Sequence, residues 1–364
     1  MVRNLRINIF SITVILICIG IVMIYSASGI YAGEKYHDSL FFLKRHLIFL
    51  LIGFIATFFL MSFDYRSLRY FAKPAIVLAV ILLVLVLMPG LGREVSGAKR
   101  WFRFKFISFQ PSEFANLAVI IYIADFISRK SDSLRNFKEG FLPPVAVMGL
   151  VLLLILVQPD LGSVVALSMV VFIMLFAAGT RFSYLVSLFL LSLPALYFLV
   201  FSVPYRRARV LAFLNPWLDP RGSGFQVIQS QVALGSGGIF GVGLGQSKQK
   251  LFYLPAAHTD FIFSIIGEEL GLIGTLIVVC LFIFFLREGF KIIRNTADKF
   301  GYYLGLGLVL LVAFKAIINI GVSCGMFPTK GLPLPFISYG GSSLIFEMMS
   351  VGLLMNIART GDYP

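Results

Sequence analysis

The sequence predicts an all-α integral membrane protein of ten transmembrane helices, and three observations carry that expectation. Hydrophobic residues make up 59% of the 364-residue chain and charged residues only 13%, with a mean hydropathy of +0.94, far from the balance of a soluble domain. Apolar runs of crossing length recur from end to end. The polar segments between them fall into two alternating sets, one of which is short and basic throughout.

A helix of about 20 apolar residues crosses a bilayer with every backbone polar group satisfied internally. The first run, 9–29, follows Arg3 and Arg6 and closes on "SASG", the outline of a signal peptide. It is too long for one and more spans follow, so it reads as a retained first helix. Runs 45–63, 75–91 and 109–127 supply the second to fourth helices, and the short runs 141–157 and 161–179 flank "QPD" as the fifth and sixth. The seventh, 183–204, precedes a long connection, after which 261–286, 301–325 and 341–358 complete the set.

Ten crossings put both termini on one side. "DYRSLRYFAK", "SRKSDSLRNFK", Arg181 and "REGFKIIRNTADK" share that side with the N-terminus and Arg359, and the positive-inside rule makes it cytoplasmic. Fifteen Lys and Arg lie there, fifteen lie outside and Lys315 falls within a span. The outer set concentrates in "REVSGAKRWFRFK" and in the connection between the seventh and eighth helices, which carries Arg206, Arg207, Arg209, Arg221, Lys248 and Lys250. Cations beside helix ends hold anionic head groups without specificity. Gathered in two outer loops, they also suit a polyanionic ligand, as Arg and Lys do around phosphates.

That connection is no solvated linker. "NPWLDPRGSGFQ" is rich in turn residues, and six glycines fall among the eleven residues 235–245, interleaved with apolar side chains. With no strand before them and no Gly-Lys-Ser/Thr after, a nucleotide loop is not indicated, and a re-entrant or interfacial segment packed on the helices is expected. Cys18, Cys280 and Cys324 all lie inside spans and read as small packing residues. His37, His46 and His258 are too scattered for a zinc site, and nothing points to a soluble domain or a nucleic-acid partner.

Charge inside or beside a span is expensive and needs a reason. Asp260, in "AAHTDFIF", stands where the connection enters the eighth helix; it reads either as an N-cap or as a catalytic carboxylate, without the Glu or Gln of a capping box. At about 100° per residue, Ser264, Gly267 and Gly271 follow its stripe, Glu268 lies about 80° away and Glu269 opposite, so Glu268 is the glutamate expected to share its cavity. Glu113 and Asp160 read as cavity carboxylates or as members of buried ion pairs. Lys315 wants an internal anion, for which Glu113 and Glu268 are the candidates.

"GAKRWFRF", "SFQPSE", "QPDLGS", the long block from "DPRGSGFQ" through "GVGLGQSKQKLFYLPAAHTDFIFSIIGEELGLIG", and "FPTKGLPLPFISYGGSSL" resemble, in order across nearly the whole chain, the signature blocks of the shape, elongation, division and sporulation (SEDS) family. The wording of the last two blocks is closer to the family's division and sporulation members than to its elongation members. The resemblance implies a single polytopic domain over 1–364, with outer loops 92–108, 205–260 and 326–340 forming the site. It implies a glycosyltransferase that joins lipid II units into glycan strands at the outer face of the bacterial cytoplasmic membrane. It further implies a class B penicillin-binding protein as transpeptidase partner, alongside other division or elongation proteins, and Asp260 as the catalytic base.

Such a reaction replaces an α-linked polyprenyl pyrophosphate by a β-1,4 sugar bond. Inversion in one displacement needs a base and a cationic setting for the leaving pyrophosphate, not a second carboxylate nucleophile. Lys99, Arg100, Arg206, Arg207, Lys248 and Lys250 are the candidate cations, Arg100 and Lys250 leading because they fall in matched blocks; Mg or Mn on the pyrophosphate is compatible with the chemistry. His258 is the competing base or a substrate contact. Glu113, Asp160, Glu268, Lys315, Ser338 and Gly340 make up the expected supporting cavity. Three positions depart from the family pattern, which commonly has Lys at Asn116, Gln at Lys315 and Glu at Ala256; the first two read as one cation moved between helices. A lipid II flippase and a non-catalytic division scaffold are the rival functions.

Overall fold

The computed structural model describes residues 2–95, 98–103, 108–251, 253–329 and 331–360. Of the expected outer loops, residues 96, 97, 104–107, 252 and 330 lie outside the described residues, as do 1 and 361–364. Twelve α-helices dominate: α1 Val2–Tyr36, α2 Phe41–Ser62, α3 Leu68–Leu85, α4 Pro111–Arg129, α5 Leu142–Val157, α6 Leu161–Ala177, α7 Phe182–Phe201, α8 Pro204–Leu214, α9 Phe225–Ser236, α10 Ile262–Arg294, α11 Lys299–Ser323 and α12 Ser342–Thr360. Eight helical segments are long and apolar enough to cross a membrane: α1, α2, α4, α7, α10 and α11, α3 together with the turn from Tyr65, and α5 together with the turn from Phe137; α6 is apolar but only 17 residues long. The chain is a multi-pass membrane protein.

The helices differ widely in how much of their surface the bundle encloses. α4 and α11 bury most of their residues, whereas α7 buries only Leu185 and turns Leu191 and Phe198 outward. α12 is central as well, packed on α1, α2, α4 and α11. Its buried face includes Ser342, Ser343, Glu347, Ser350 and Asn356. A helix shielded by other helices needs no apolar surface and gains from polar and small contacts. Cys18, Cys280 and Cys324, expected to pack inside, are exposed on the protein surface.

Two connecting segments are more structured than the sequence indicates. The 92–108 region carries a three-stranded antiparallel sheet, β1 Arg93–Val95, β2 Ala98–Arg103 and β3 Ser108–Phe109, with Glu94 opposite Lys99 and Phe102 opposite Phe109. β2 reads AKRWFR, and its paired aromatics Trp101 and Phe102 suit a strand. The long connection holds α8 and α9, joined through a turn in which Asn215 accepts from the Trp217 amide and Asp219 from Ser223.

The glycine-rich segment that follows repairs a break in α10. Gly271 has φ 66° and ψ −163°, which interrupts the helix. The amides of Val242 and Gly243 donate to the carbonyls of Glu268 and Glu269 at 2.9 and 3.1 Å, and those of Leu272 and Ile273 to Gly238 and Ile239 at 2.9 and 3.2 Å. A Cβ on Gly241 would run into the Glu269 carbonyl. Glycine is needed because two backbones meet there, and the ladder supplies the hydrogen bonds that irregular backbone at membrane depth requires.

Candidate active site

Asp260 lies immediately before α10, yet it does not cap the helix: the N-cap position is Phe261, and no side chain there accepts an amide. Its backbone is clamped instead. The Asp260 amide donates to Ala256 O at 3.1 Å, and its carbonyl accepts from Asn319 Nδ2 at 2.9 Å, which also donates to Leu332 O at 2.7 Å. The carboxylate is half-buried and faces Gly331, where an added Cβ would stand 3.1 Å from Oδ2. Burial pushes its pKa up to about 6, against the opposing pull of Arg209 and then Arg100; Asp160 pushes it further up and a hydrogen bond from Thr259 pulls it down.

Three elements deliver those neighbours. Arg209, on α8, donates to Thr329 O at 3.1 Å. Arg100, on β2, donates through Nε and Nη2 to the carbonyls of Gln158 and Pro159 at 2.7 and 2.5 Å, tying the sheet to the turn between α5 and α6. Asp160 caps α6, accepting from the Ser163 amide and hydroxyl at 3.2 and 2.9 Å and from Gln110 Nε2 at 3.2 Å. It is buried as a cap and hydrogen-bond acceptor, without a salt bridge among the described residues.

The loop before α12 braces the same segment. Ser338 Oγ donates to Thr259 O at 2.6 Å and accepts from the Leu334 amide at 2.8 Å, and the Tyr339 amide donates to His258 O at 3.0 Å. Gly340 packs closely, its Cβ position 3.2 Å from Ser343. The His258 ring lies 4.4 Å from Phe42, with Tyr31 and Tyr339 at 5.9 and 6.0 Å, and burial lowers its pKa to about 4. It is a neutral ring in an aromatic nest and a poor base.

Other expected residues go elsewhere. Lys250 forms a buried ion pair with Glu269 at 2.8 Å and reaches Ser26 Oγ at 3.0 Å, so its ammonium is not offered to a ligand. Glu268 does not turn toward Asp260; it accepts from Ser247 Oγ and from the amides of Lys248 and Gln249 at 2.9 and 3.4 Å. Both corrections have one cause: the glycine-rich segment folds the 247–250 turn across the two glutamates. Arg206 donates to Leu199 O and Leu156 O at 3.0 and 3.5 Å, Arg207 and Lys248 are exposed, and Lys99 is half-buried. Lys315 Nζ meets Glu113 Oε2 at 2.6 Å, not Glu268, and has Ser343 Oγ and Glu347 Oε1 at 3.1 and 3.3 Å. Both side-chain polar atoms of Asn116 are buried without a hydrogen-bond partner among the described residues.

The family model for the FtsW, RodA and SpoVE cell cycle proteins matches residues 6–363. The chain belongs to that family. A Geobacter metallireducens protein named "Probable peptidoglycan glycosyltransferase FtsW" is 47% identical over 350 residues, covering 96% of this chain and 93% of its own. Stage V sporulation protein E of Bacillus subtilis is 46% identical over 352 residues, covering 97% and 96%. A chain of a peptidoglycan synthase complex in which polymerization and crosslinking are structurally coordinated superposes with TM-score 0.79 at 30% identity over 97% of both chains. The Thermus thermophilus rod shape determining protein RodA gives 0.71 at 27% identity over 98% and 97%.

Within this FtsW/RodA/SpoVE chain, Arg209, Asn319 and Gly331 lie near Asp260 and Glu347 beside Lys315, and the sequence singled out none of them. Asn319 and Glu347 are polar residues inside apolar helices, a signal that was available. Arg209 was one cation among six in its connection, and only the folding of α8 distinguishes it. Among the described residues no three His, Cys, Asp or Glu side chains gather as a metal site.

Proposed function

We propose that this chain is a peptidoglycan glycosyltransferase that polymerises lipid II into glycan strands at the outer face of the bacterial cytoplasmic membrane, with inversion and with Asp260 as general base. The observation that carries the reading is an uncapped, half-buried carboxylate under the influence of two arginines. Asp260 takes the proton of the acceptor hydroxyl. The hydroxyl oxygen then bonds to the donor's anomeric carbon as the α-linked bond to pyrophosphate breaks, and the β-1,4 linkage forms. The departing polyprenyl pyrophosphate leaves with its negative charge balanced by Arg209 and Arg100, with Lys99, Arg207 and Lys248 as outer contacts. A carboxylate of pKa about 6 is a better base for a sugar hydroxyl than one at the ordinary 3.8, and it is still ionised at neutral pH.

The same reading makes α1 to α7 and α10 to α12 ten crossings of one polytopic domain, with both termini cytoplasmic and the 92–108, 205–260 and 326–340 segments outside. The basic loops between alternate spans support that orientation. A class B penicillin-binding protein is the expected partner, supported by the likeness to a chain of a peptidoglycan synthase complex. Proteoliposomes given lipid II on their outer face alone test the activity. Glycan polymer forms if the chain is a polymerase, and translocated lipid without polymer would make it a flippase.

A further inference from the structure

Glu347 belongs to no part of the reaction described so far, yet it is a buried carboxylate whose two oxygens do different work. Oε1 accepts from Ser343 Oγ at 2.8 Å and lies 3.3 Å from Lys315 Nζ, which is held 2.6 Å from Glu113. This cluster joins α4, α11 and α12. Oε2 accepts from the backbone amide of Phe336 at 3.1 Å. Phe336 is buried and holds φ 63°, a left-handed conformation that a bulky residue keeps only when its surroundings over-determine it. From the other side Gly20 of α1 presses on it so closely that a Cβ there would stand 2.8 Å from Phe336 O. An amide sunk that far between helices needs a partner within the protein.

Two lines run from the cluster to the base. Beyond Phe336, Ser338 clamps Thr259 O and the Tyr339 amide clamps His258 O, the two residues before Asp260. Along α11, one turn after Lys315, Asn319 holds the Asp260 carbonyl. We propose that Glu347 is a positioning residue for Asp260: by fixing the Phe336 amide and the Lys315 ammonium together, it sets the loop that holds the catalytic segment. The inference rests on Asp260 acting as the base, and it assigns a function to a side chain that would otherwise only hold three helices together.

The test separates hydrogen bonding from charge. Glu347→Gln keeps an acceptor for the Phe336 amide, Glu347→Leu removes it, and in both Lys315 retains Glu113 as its counter-charge. Lipid II polymerisation by the full chain with its partner is expected to keep at least about a third of its kcat in Glu347→Gln. In Glu347→Leu and in Ser338→Ala, kcat is expected to fall at least about tenfold with KM little changed, since a small misplacement of reacting groups is that costly. The Glu347→Leu/Ser338→Ala double variant should be no worse than the weaker single one, because both act along one line. A Gln variant as impaired as Leu, a Leu variant as fast as wild type, or losses that multiply in the double variant would overturn the proposal. If Glu347→Leu does not fold, Glu347→Gln retaining kcat while Ser338→Ala loses it upholds the proposal, and the reverse pattern overturns it. An Asp260→Asn control separates the two readings: full activity there removes the base itself, whereas a dead control beside a normal Glu347→Leu removes only this inference.

Discussion

Asp260 combines two demands that pull against each other. Burial raises its pKa to about 6, and Arg209 and Arg100 keep it from rising further. As a base it must be ionised, so kcat/KM for polymerisation should climb roughly tenfold per pH unit below about 6 and level off above it. A plateau that persists to pH of about 4 would contradict this assignment. Arg209→Ala should move the limb to higher pH and lower kcat by about 10- to 100-fold, as removal of a charge that stabilises the leaving group does. The same shift has a stability consequence. The folded carboxyl holds its proton more tightly than the unfolded chain, whose value is near 3.8, so this group's contribution is full below that value and is lost as pH rises through about 6. Asp260→Asn should therefore unfold no earlier than wild type at neutral pH, which a thermal melt in detergent would check. The sequence left Asp260 between cap and catalyst; the backbone, with Phe261 in the N-cap position and no side chain accepting an amide there, removes the cap.

At the level of elements, α10 shows why part of the site was illegible. Helical stepping treats 260–271 as one continuous helix and leaves Glu268, about 80° from Asp260, as the glutamate expected to share its cavity. Gly271 breaks that helix, and the glycine-rich segment brings Lys250 and the 247–249 amides onto the glutamates. Gly241→Ala should lower stability and folded yield on size-exclusion chromatography, because its Cβ meets the Glu269 carbonyl. Lys315 was legible as a buried cation in need of an anion with Glu113 among its candidates, but Glu347 was not paired with it, since only the packing of α12 on α11 brings it within 3.3 Å. Lys315→Met leaves Glu113 and Glu347 buried together without a counter-charge and should cost about 3–5 kcal/mol, a loss visible in a thermal melt. A melt unchanged by Lys315→Met would show that the cluster contributes nothing to folding.

For the whole molecule, hydropathy revealed eight crossings, the enclosed α4 and α11 among them, and understated α12, whose buried face carries Ser342, Ser343, Glu347, Ser350 and Asn356. The sheet and the helices α8 and α9 lie in connecting segments, where neither charge counting nor span length carries information. The orientation proposed for the bundle places Arg207 and Lys248 outside and Lys130, between α4 and α5, inside; all three are exposed. With the surface cysteines Cys18, Cys280 and Cys324 replaced by serine, a membrane-impermeant thiol reagent should label Arg207→Cys and Lys248→Cys in intact cells, and Lys130→Cys only after permeabilisation. The most direct test of the whole account is polymerisation of lipid II by the purified protein with its cognate penicillin-binding protein, comparing wild type with Asp260→Asn. The account predicts glycan strands from the wild type and none from a variant that still inserts and binds its partner; strands of normal length and yield from Asp260→Asn would contradict it.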